Sequence, residues 1–138
     1  MTVLFDTNVI LDFLVDREPF STQAAVLFSK VESGQLTGFL SAGSVTTLYY
    51  LIRKAAGGRA AHRDIRRLLR LFEIAPINRQ VLEGALSLGF DDFEDAVICQ
   101  AATSIGAQGI ITRDLGGFNK AKIPVYSPSE FIQTFFPS

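Results

Sequence analysis

The sequence predicts an α/β protein built on a mostly parallel sheet. Short apolar segments alternate along the chain with longer segments whose apolar residues recur at helical spacing, which is typical of strand and helix units in alternation. Of the 138 residues, 48% are hydrophobic and 20% are charged, a composition that supports a packed core and argues against intrinsic disorder. At this length we expect one domain that spans residues 1–138.

Start and stop signals divide the first half of the chain. Pro19 and Ser21 favour a helix start, and Gly34 and Gly57 favour helix ends. In chain order the predicted elements are a strand over 1–5, a short helix after the polar junction 6–8, a helix from Ser21 to Gly34, a strand over 36–40, a helix capped by Ser41 or Ser44 that ends at Gly57, and a basic helix that continues to Phe72.

The second half continues the same alternation. Asn78 and Ser127 are side chains that cap helices well, and Gly106 favours a helix end. In chain order the predicted elements are a strand over 72–77, a helix after Asn78, a helix that follows the acidic residues 91–95 and ends near Gly106, a strand over 109–112, a strand over 123–126, and a helix that opens at Ser127.

Composition limits the chemistry that is available. The chain has one Cys and one His, so it has neither an intrachain disulfide nor a Cys-rich or His-rich metal centre. Any bound metal must therefore take oxygen ligands. No apolar run approaches the roughly 20 residues that span a bilayer, and the N-terminus does not have the pattern of a signal peptide. We expect a soluble cytoplasmic protein with no membrane partner.

Positive charge is concentrated in residues 53–70, although the formal net charge of the chain is −1. This segment contains seven Lys or Arg residues and one Asp, a local net charge of +6. Such a surface can hold a phosphate backbone, but it can equally be a solvated helix face. The candidate nucleic-acid-binding residues in it are Arg53, Lys54, Arg63, Arg66 and Arg67.

Four aspartates are candidates for a common site. Asp6 follows the first predicted strand, Asp114 follows the strand over 109–112, and the pair Asp92 and Asp95 shares one face at the start of a helix. The carboxyl ends of parallel strands meet at one edge of an open sheet, where ligands bind. Each of these residues could instead be a helix cap or a turn residue, and Asn8 and Thr112 are weaker polar candidates beside them.

Carboxylates at close range repel each other, and a divalent cation removes that repulsion. Mg²⁺ and Mn²⁺ prefer oxygen ligands and are usually held by a few carboxylates together with substrate phosphate. Such an ion can activate water and neutralise the charge that develops during phosphodiester cleavage. The residues alone therefore favour metal-assisted phosphodiester hydrolysis.

The motifs resemble those of the PIN-domain family, which includes the VapC-like toxin ribonucleases of toxin-antitoxin pairs. The resemblance extends over nearly the whole chain. It is carried by the segments Val3-Leu4-Phe5-Asp6-Thr7-Asn8-Val9-Ile10-Leu11-Asp12, Asp92-Phe93-Glu94-Asp95-Ala96 and Ile110-Ile111-Thr112-Arg113-Asp114, the last followed by Phe118. It implies a three-layer α/β/α sandwich and cleavage of single-stranded RNA at a Mg²⁺ or Mn²⁺ site.

The resemblance also implies roles for individual residues. Asp6, Asp95 and Asp114 would be the metal ligands, Asp92 an accessory acid, and Asn8 and Thr112 supporting polar groups. It further implies an antitoxin protein as partner and a homodimer.

The chain departs from the family pattern at one place. The family commonly has a Glu on the helix after the second strand, but here that helix reads Ser44-Val45-Thr46-Thr47-Leu48-Tyr49-Tyr50 and contains no acid. We expect Tyr49 at the position of the Glu, and a neutral phenol is a poor Mg²⁺ ligand. Two hypotheses follow: a metal-dependent endoribonuclease in which Asp92 supplies the missing charge, or a nucleic-acid-binding module with little or no catalysis.

Overall fold

The computed structural model describes residues 1–138 and contains five strands and seven α-helices. The strands are β1 (Thr2–Phe5), β2 (Thr37–Ser41), β3 (Glu73–Ala75), β4 (Gly109–Ile111) and β5 (Val125–Tyr126). The helices are α1 (Thr7–Leu14), α2 (Ser21–Glu32), α3 (Ala42–Ala56), α4 (Gly58–Leu71), α5 (Arg79–Leu86), α6 (Phe93–Ser104) and α7 (Pro128–Phe135), and a short 3₁₀ turn spans Gly116–Phe118.

All five strands are parallel, in the order β3-β2-β1-β4-β5. The predicted α/β class and parallel sheet are therefore confirmed. The chain leaves β1 towards β2 on one side and leaves β4 towards β5 on the other. Connections that diverge in this way open a crevice at the carboxyl ends of the two strands.

Side chains of β1 alternate between the two faces of the sheet, as the two-residue period of a strand requires. Val3 and Phe5 belong to a core that also contains apolar residues of α1, α2, α3, α4 and α7. Leu4 belongs to a second core, shared with α5 and α6. The sheet therefore lies between two helical layers, which confirms the three-layer α/β/α arrangement.

Two strands are shorter than the sequence predicts by two residues or more, and β1 and β4 are each shorter by one. The strand expected over 72–77 is Glu73–Ala75, and the strand expected over 123–126 is Val125–Tyr126. Pro76 and Pro124 stand next to the observed ends, and proline has no N–H to donate to a neighbouring strand. None of the helices has the length and apolar character that crossing a membrane requires.

Candidate functional site

The carboxyl ends of β1 and β4 and the first turn of α6 enclose a cavity of about 440 Å³, which we call the acidic pocket. Three separate segments of the chain supply its carboxylates. These are Asp6, Asp92, Glu94, Asp95 and Asp114. Four other polar residues line it, namely Thr7, Asn8, Arg17 and Thr47. The structure thus brings together the four aspartates that the sequence singled out.

Asp6 stands between β1 and α1 and is 7% exposed. Its Oδ1 caps α1 by accepting a hydrogen bond from the Thr7 backbone N at 2.8 Å. Its Oδ2 accepts one from the Thr112 hydroxyl at 2.7 Å and a longer one from Asn8 Nδ2 at 3.4 Å. Burial raises the pKa of Asp6 above its ordinary value, although the hydrogen bonds from Thr112 and Thr7 oppose that shift.

Thr112 connects the two strand ends. Its hydroxyl oxygen accepts a hydrogen bond from the Asp114 backbone N at 3.0 Å while its proton is donated to Asp6. Asn8 joins the same network, because its Oδ1 accepts from the Arg113 backbone N at 3.3 Å. The two residues expected to support the site therefore hold the segment after β4 against the start of α1.

Asp92 and Asp95 sit at the start of α6. The Asp92 side chain caps the helix by accepting from the Asp95 backbone N at 3.1 Å. The Asp95 carboxylate itself makes no hydrogen bond or ion pair within the chain. Burial raises the pKa of Asp95 to about 7, with further contributions from the negative charges of Asp6, Asp92, Asp114 and Glu94.

Gly117 marks the place where two of the carboxylates converge. A Cβ added to Gly117 would lie 2.5 Å from Asp114 Oδ2 and 2.8 Å from Asp95 Oδ2, closer than real Cβ atoms approach other atoms. Gly117 is not among the residues with a positive φ, so space rather than backbone conformation requires a glycine here. Its backbone N also donates to Asp114 Oδ1 at 3.1 Å and so fixes that carboxylate.

The donors of the acidic pocket fit a hard divalent cation. Only oxygen ligands are present, and burial together with the neighbouring negative charges raises the pKa of Asp95, as expected where a cation would be stabilising. As the side chains stand, no group of three or more His, Cys, Asp and Glu residues is placed to hold a metal ion. Mg²⁺ commonly takes only one or two carboxylates plus water and substrate phosphate, and the convergence of Asp95 and Asp114 matches that pattern.

Helix α3 presents no carboxylate to the acidic pocket. Thr47 and Leu51 are the α3 residues that line it. Tyr49, expected there from the sequence, lies on another side of the helix, where its hydroxyl is 3.2 Å from His62 Nε2 on α4. The expectation that Tyr49 takes the place of the Glu is wrong. Tyr49 is two residues from both Thr47 and Leu51, and two residues of a helix rotate a side chain by about 200°, away from the pocket.

Sequence reasoning missed four polar residues of the acidic pocket, and one of them, Thr7, directly follows Asp6 in the opening motif. Glu94 lies within the recognised acidic segment and on the first turn of α6, so its neighbours could have indicated it. Thr47 is four residues before Leu51 on α3, so helical spacing puts both on the same face once Leu51 is known to line the pocket. Arg17 carries no signal in the sequence, since the loop after α1 decides where it lies.

The basic segment forms a separate surface on α4. A cavity of about 520 Å³, which we call the cationic cavity, is lined by Gly58, four arginines and one histidine. Those side chains are Arg59, His62, Arg63, Arg66 and Arg70. Arg53 and Lys54 are exposed at the end of α3. Arg67 is not part of the cavity, because its guanidinium lies over the ring of Phe13, 5.3 Å from the ring centroid.

The sequence profile of the PIN domain matches residues 2–116. The chain belongs to the PIN domain family. This PIN domain is 29% identical to Ribonuclease VapC1 of Aquifex aeolicus (strain VF5) over 139 aligned residues. The alignment covers 95% of this chain and 93% of that relative. The resemblance noted in the sequence is thereby confirmed.

Solved structures share the fold of this PIN domain. A toxin-antitoxin complex from Klebsiella pneumoniae matches with a TM-score of 0.69 and 24% identity, over 91% of this chain and 97% of that one. DNA-bound VapBC from Salmonella typhimurium matches with a TM-score of 0.71 and 16% identity, over 93% and 98%. VapC20 of Mycobacterium tuberculosis, a sarcin-ricin loop cleaving toxin, matches with a TM-score of 0.65 and 16% identity, over 78% and 86%.

Proposed function

We propose that this PIN domain is a Mg²⁺- or Mn²⁺-dependent endoribonuclease that cleaves phosphodiester bonds of single-stranded RNA, with residues 1–138 acting as one domain. The observation that carries the proposal is the set of five carboxylates around one pocket, with the pKa of Asp95 raised to about 7. Such a set is unfavourable without a cation and suited to binding one. The similarity to Ribonuclease VapC1 supports the same reaction.

In this proposal Asp95 and Asp114 hold the cation and Asp6 is the third acidic ligand. Thr112 and Thr7 keep the Asp6 carboxylate from rotating, so the ligand is positioned before the ion binds. A bound divalent ion supplies Lewis acidity, which activates water and neutralises charge on the phosphate. Asp92 and Glu94 add negative charge at the same end of α6 and strengthen the preference for a divalent over a monovalent ion.

The proposed path of the RNA runs from the acidic pocket along α3 to the cationic cavity. Tyr50 follows Thr47 by three residues and Lys54 follows Leu51 by three, so both share the face of α3 that lines the pocket. Tyr50 is 60% exposed. An exposed aromatic ring beside a cation is typical of surfaces that bind single strands, because the ring stacks on bases and the cation contacts phosphate.

The test is cleavage of single-stranded RNA by the purified protein with Mg²⁺ or Mn²⁺, then with chelator. Cleavage should require the metal and should be lost in Asp6→Asn. Asp91→Asn is the matched control, because Asp91 is exposed next to Asp92 and does not line the acidic pocket. Absence of metal-dependent cleavage, or full activity in Asp6→Asn, would contradict the proposal.

A second candidate function is RNA binding with little or no catalysis. The observation that favours it is the neutral face of α3, where Thr47 and Leu51 line the pocket and no acid is present. This function predicts salt-sensitive RNA binding without product. Replacing Arg66 and Arg70 together by Glu should weaken that binding, and unchanged binding in the double variant would count against the cationic cavity as the RNA surface.

We also propose a protein antitoxin as the partner that restrains the activity in the cytoplasm. Five carboxylates and one arginine make the acidic pocket strongly negative, so an inhibitor that inserts an Arg or Lys would bind there by charge-assisted hydrogen bonds. A small protein encoded beside this chain should abolish cleavage when added in equal amount, and continued cleavage at saturation would exclude it. We further propose a homodimer, which the family resemblance implies, and light scattering of the purified chain tests it.

A further inference from the structure

Arg17 is the only cation among the residues that line the acidic pocket. Its side chain is 44% exposed, so it reaches solvent at the edge of the pocket. It forms no ion pair with any of the five pocket carboxylates, and its single ion pair is with Asp12, from Arg17 Nε to Asp12 Oδ1 at 3.2 Å. Most donors of the guanidinium are therefore uncommitted within the chain.

Asp12 does not need Arg17 for its own neutralisation. Asp12 is 1% exposed on α1, and Arg113 donates to it from Nε at 2.5 Å and from Nη2 at 3.1 Å. This bidentate pair already balances the buried charge and satisfies both carboxylate oxygens. Arg17 is a second cation on the same carboxylate, so the three side chains together carry one surplus positive charge.

The backbone holds Arg17 in position. Its N–H donates to the Asp12 carbonyl oxygen at 2.9 Å, and its own carbonyl accepts from the backbone N–H groups of Phe20 at 3.0 Å and Ser21 at 2.8 Å. Arg113 also lies over the Phe20 ring, 3.9 Å from the centroid. The loop that carries Arg17 is thereby fixed to the segment that carries Asp114.

We propose that Arg17 binds a phosphate oxygen of the RNA strand at the acidic pocket, with Asp12 as the positioning residue that orients the guanidinium. The inference rests on the proposed ribonuclease function. A phosphodiester approaching five carboxylates is repelled, and a cation that is fixed and not engaged with those carboxylates gives the anionic backbone a place to bind. The planar guanidinium presents two parallel N–H donors to one phosphate in a fixed geometry, whereas a lysine ammonium acts as a point charge.

The experiment compares the wild type with Arg17→Gln, Arg17→Lys and the control Arg79→Gln. Arg79 is exposed at the start of α5, lines neither pocket, and loses the same charge when replaced. We measure kcat/KM for single-stranded RNA over a range of salt concentrations, and RNA binding in chelator by fluorescence anisotropy. Arg17→Gln should lower kcat/KM about tenfold and reduce the salt slope of binding by about 1, as loss of one phosphate contact does.

Arg17→Lys should have the salt slope of the wild type, because the positive charge is kept. It should retain only part of the wild-type kcat/KM, because lysine does not make the two-donor contact. Arg79→Gln should match the wild type. If Arg17→Gln retains wild-type kcat/KM and salt slope, or lowers only the melting temperature, Arg17 is a structural counter-ion of Asp12 and the inference is wrong. If the wild type itself neither cleaves nor binds RNA, the proposed function fails and this inference fails with it.

Discussion

Asp12 and Asp95 are two acids of one protein in opposite surroundings. Asp12 is almost fully buried and is held by Arg113 and Arg17. Asp95 is half-buried, has no hydrogen bond or ion pair of its own, and is surrounded by four other carboxylates. Depth of burial alone would rank Asp12 as the more unfavourable charge, but its arginine partners reverse that ranking.

The difference separates a structural acid from a functional one. Asp12 connects α1 to the segment after β4, so it contributes to the cohesion of the fold. At about pH 8 Asp95 lowers the stability of the metal-free protein, because folding buries its charge and holds it near other negative charges. A destabilising arrangement of this kind is expected where the chemistry requires it.

The largest expected effect is on catalysis, from Asp95→Asn. Removal of the Asp95 charge should reduce RNA cleavage about a thousandfold, within the range for loss of one key electrostatic group. The same change should raise the melting temperature of the metal-free protein at about pH 8, because it removes a buried charge and its repulsion by neighbouring carboxylates and breaks no hydrogen bond of the side chain. Cleavage kinetics and thermal denaturation measure the two effects, and a lower melting temperature would show that Asp95 stabilises the fold.

The next effect is on stability, from Asp12→Asn. The free energy of unfolding should fall by about 3 kcal/mol, at the lower end for a broken buried ion pair because Arg113 is partly exposed. Urea denaturation measures it. The control is Asp16→Asn, since Asp16 is exposed in the same loop and its φ of 52° is one that Asn adopts readily. Equal free energies of unfolding for the two variants would contradict a structural role for Asp12.

The smallest effect is the pH dependence of the metal-free protein. The pKa of Asp95 is raised from 3.8 to about 7, so the folded state binds more protons than the unfolded state between these values. The protonated form of Asp95 therefore stabilises the folded state relative to the ionised form. This stabilisation is fully present below about pH 4 and is lost as the pH rises through about 7. Stabilisation by Mn²⁺ should be larger at about pH 8 than at about pH 5, and Asp95→Asn should weaken this pH dependence; a pH-independent effect would contradict the assignment.

Most of the fold could be predicted from local sequence. Apolar periodicity and capping residues together indicated all seven helices, and the polar residue after each apolar segment marked the carboxyl ends of β1 and β4. The lengths of β3 and β5 could not be predicted from periodicity, since the pairing of each strand with its neighbour decides where it ends. The 3₁₀ turn that carries Gly117 was not predicted, because its residues have no apolar period.

The acidic pocket was predictable where its residues follow strands or open a helix, as Asp6, Asp92 and Asp114 do. Tyr49 was misplaced because the exact rotation of α3 depends on its packing against the sheet and α4. The role of Asp12 was not predictable, since its partner Arg113 is 101 residues away and no spacing rule joins them. Arg17 reaches the pocket because the loop after α1 places it beside Asp12, and that loop has no recognisable pattern in the sequence.

Gly117 gives a way to silence the site without altering any acid. A methyl group at this position would push the carboxylates of Asp95 and Asp114 away from the place where the proposal seats an ion. Gly117 does not line the cationic cavity on α4, so the RNA-holding surface of the proposal would keep its charges. Gly117→Ala would therefore be a catalytically inert bait, able to retain on a column the transcripts that the intact protein would otherwise destroy.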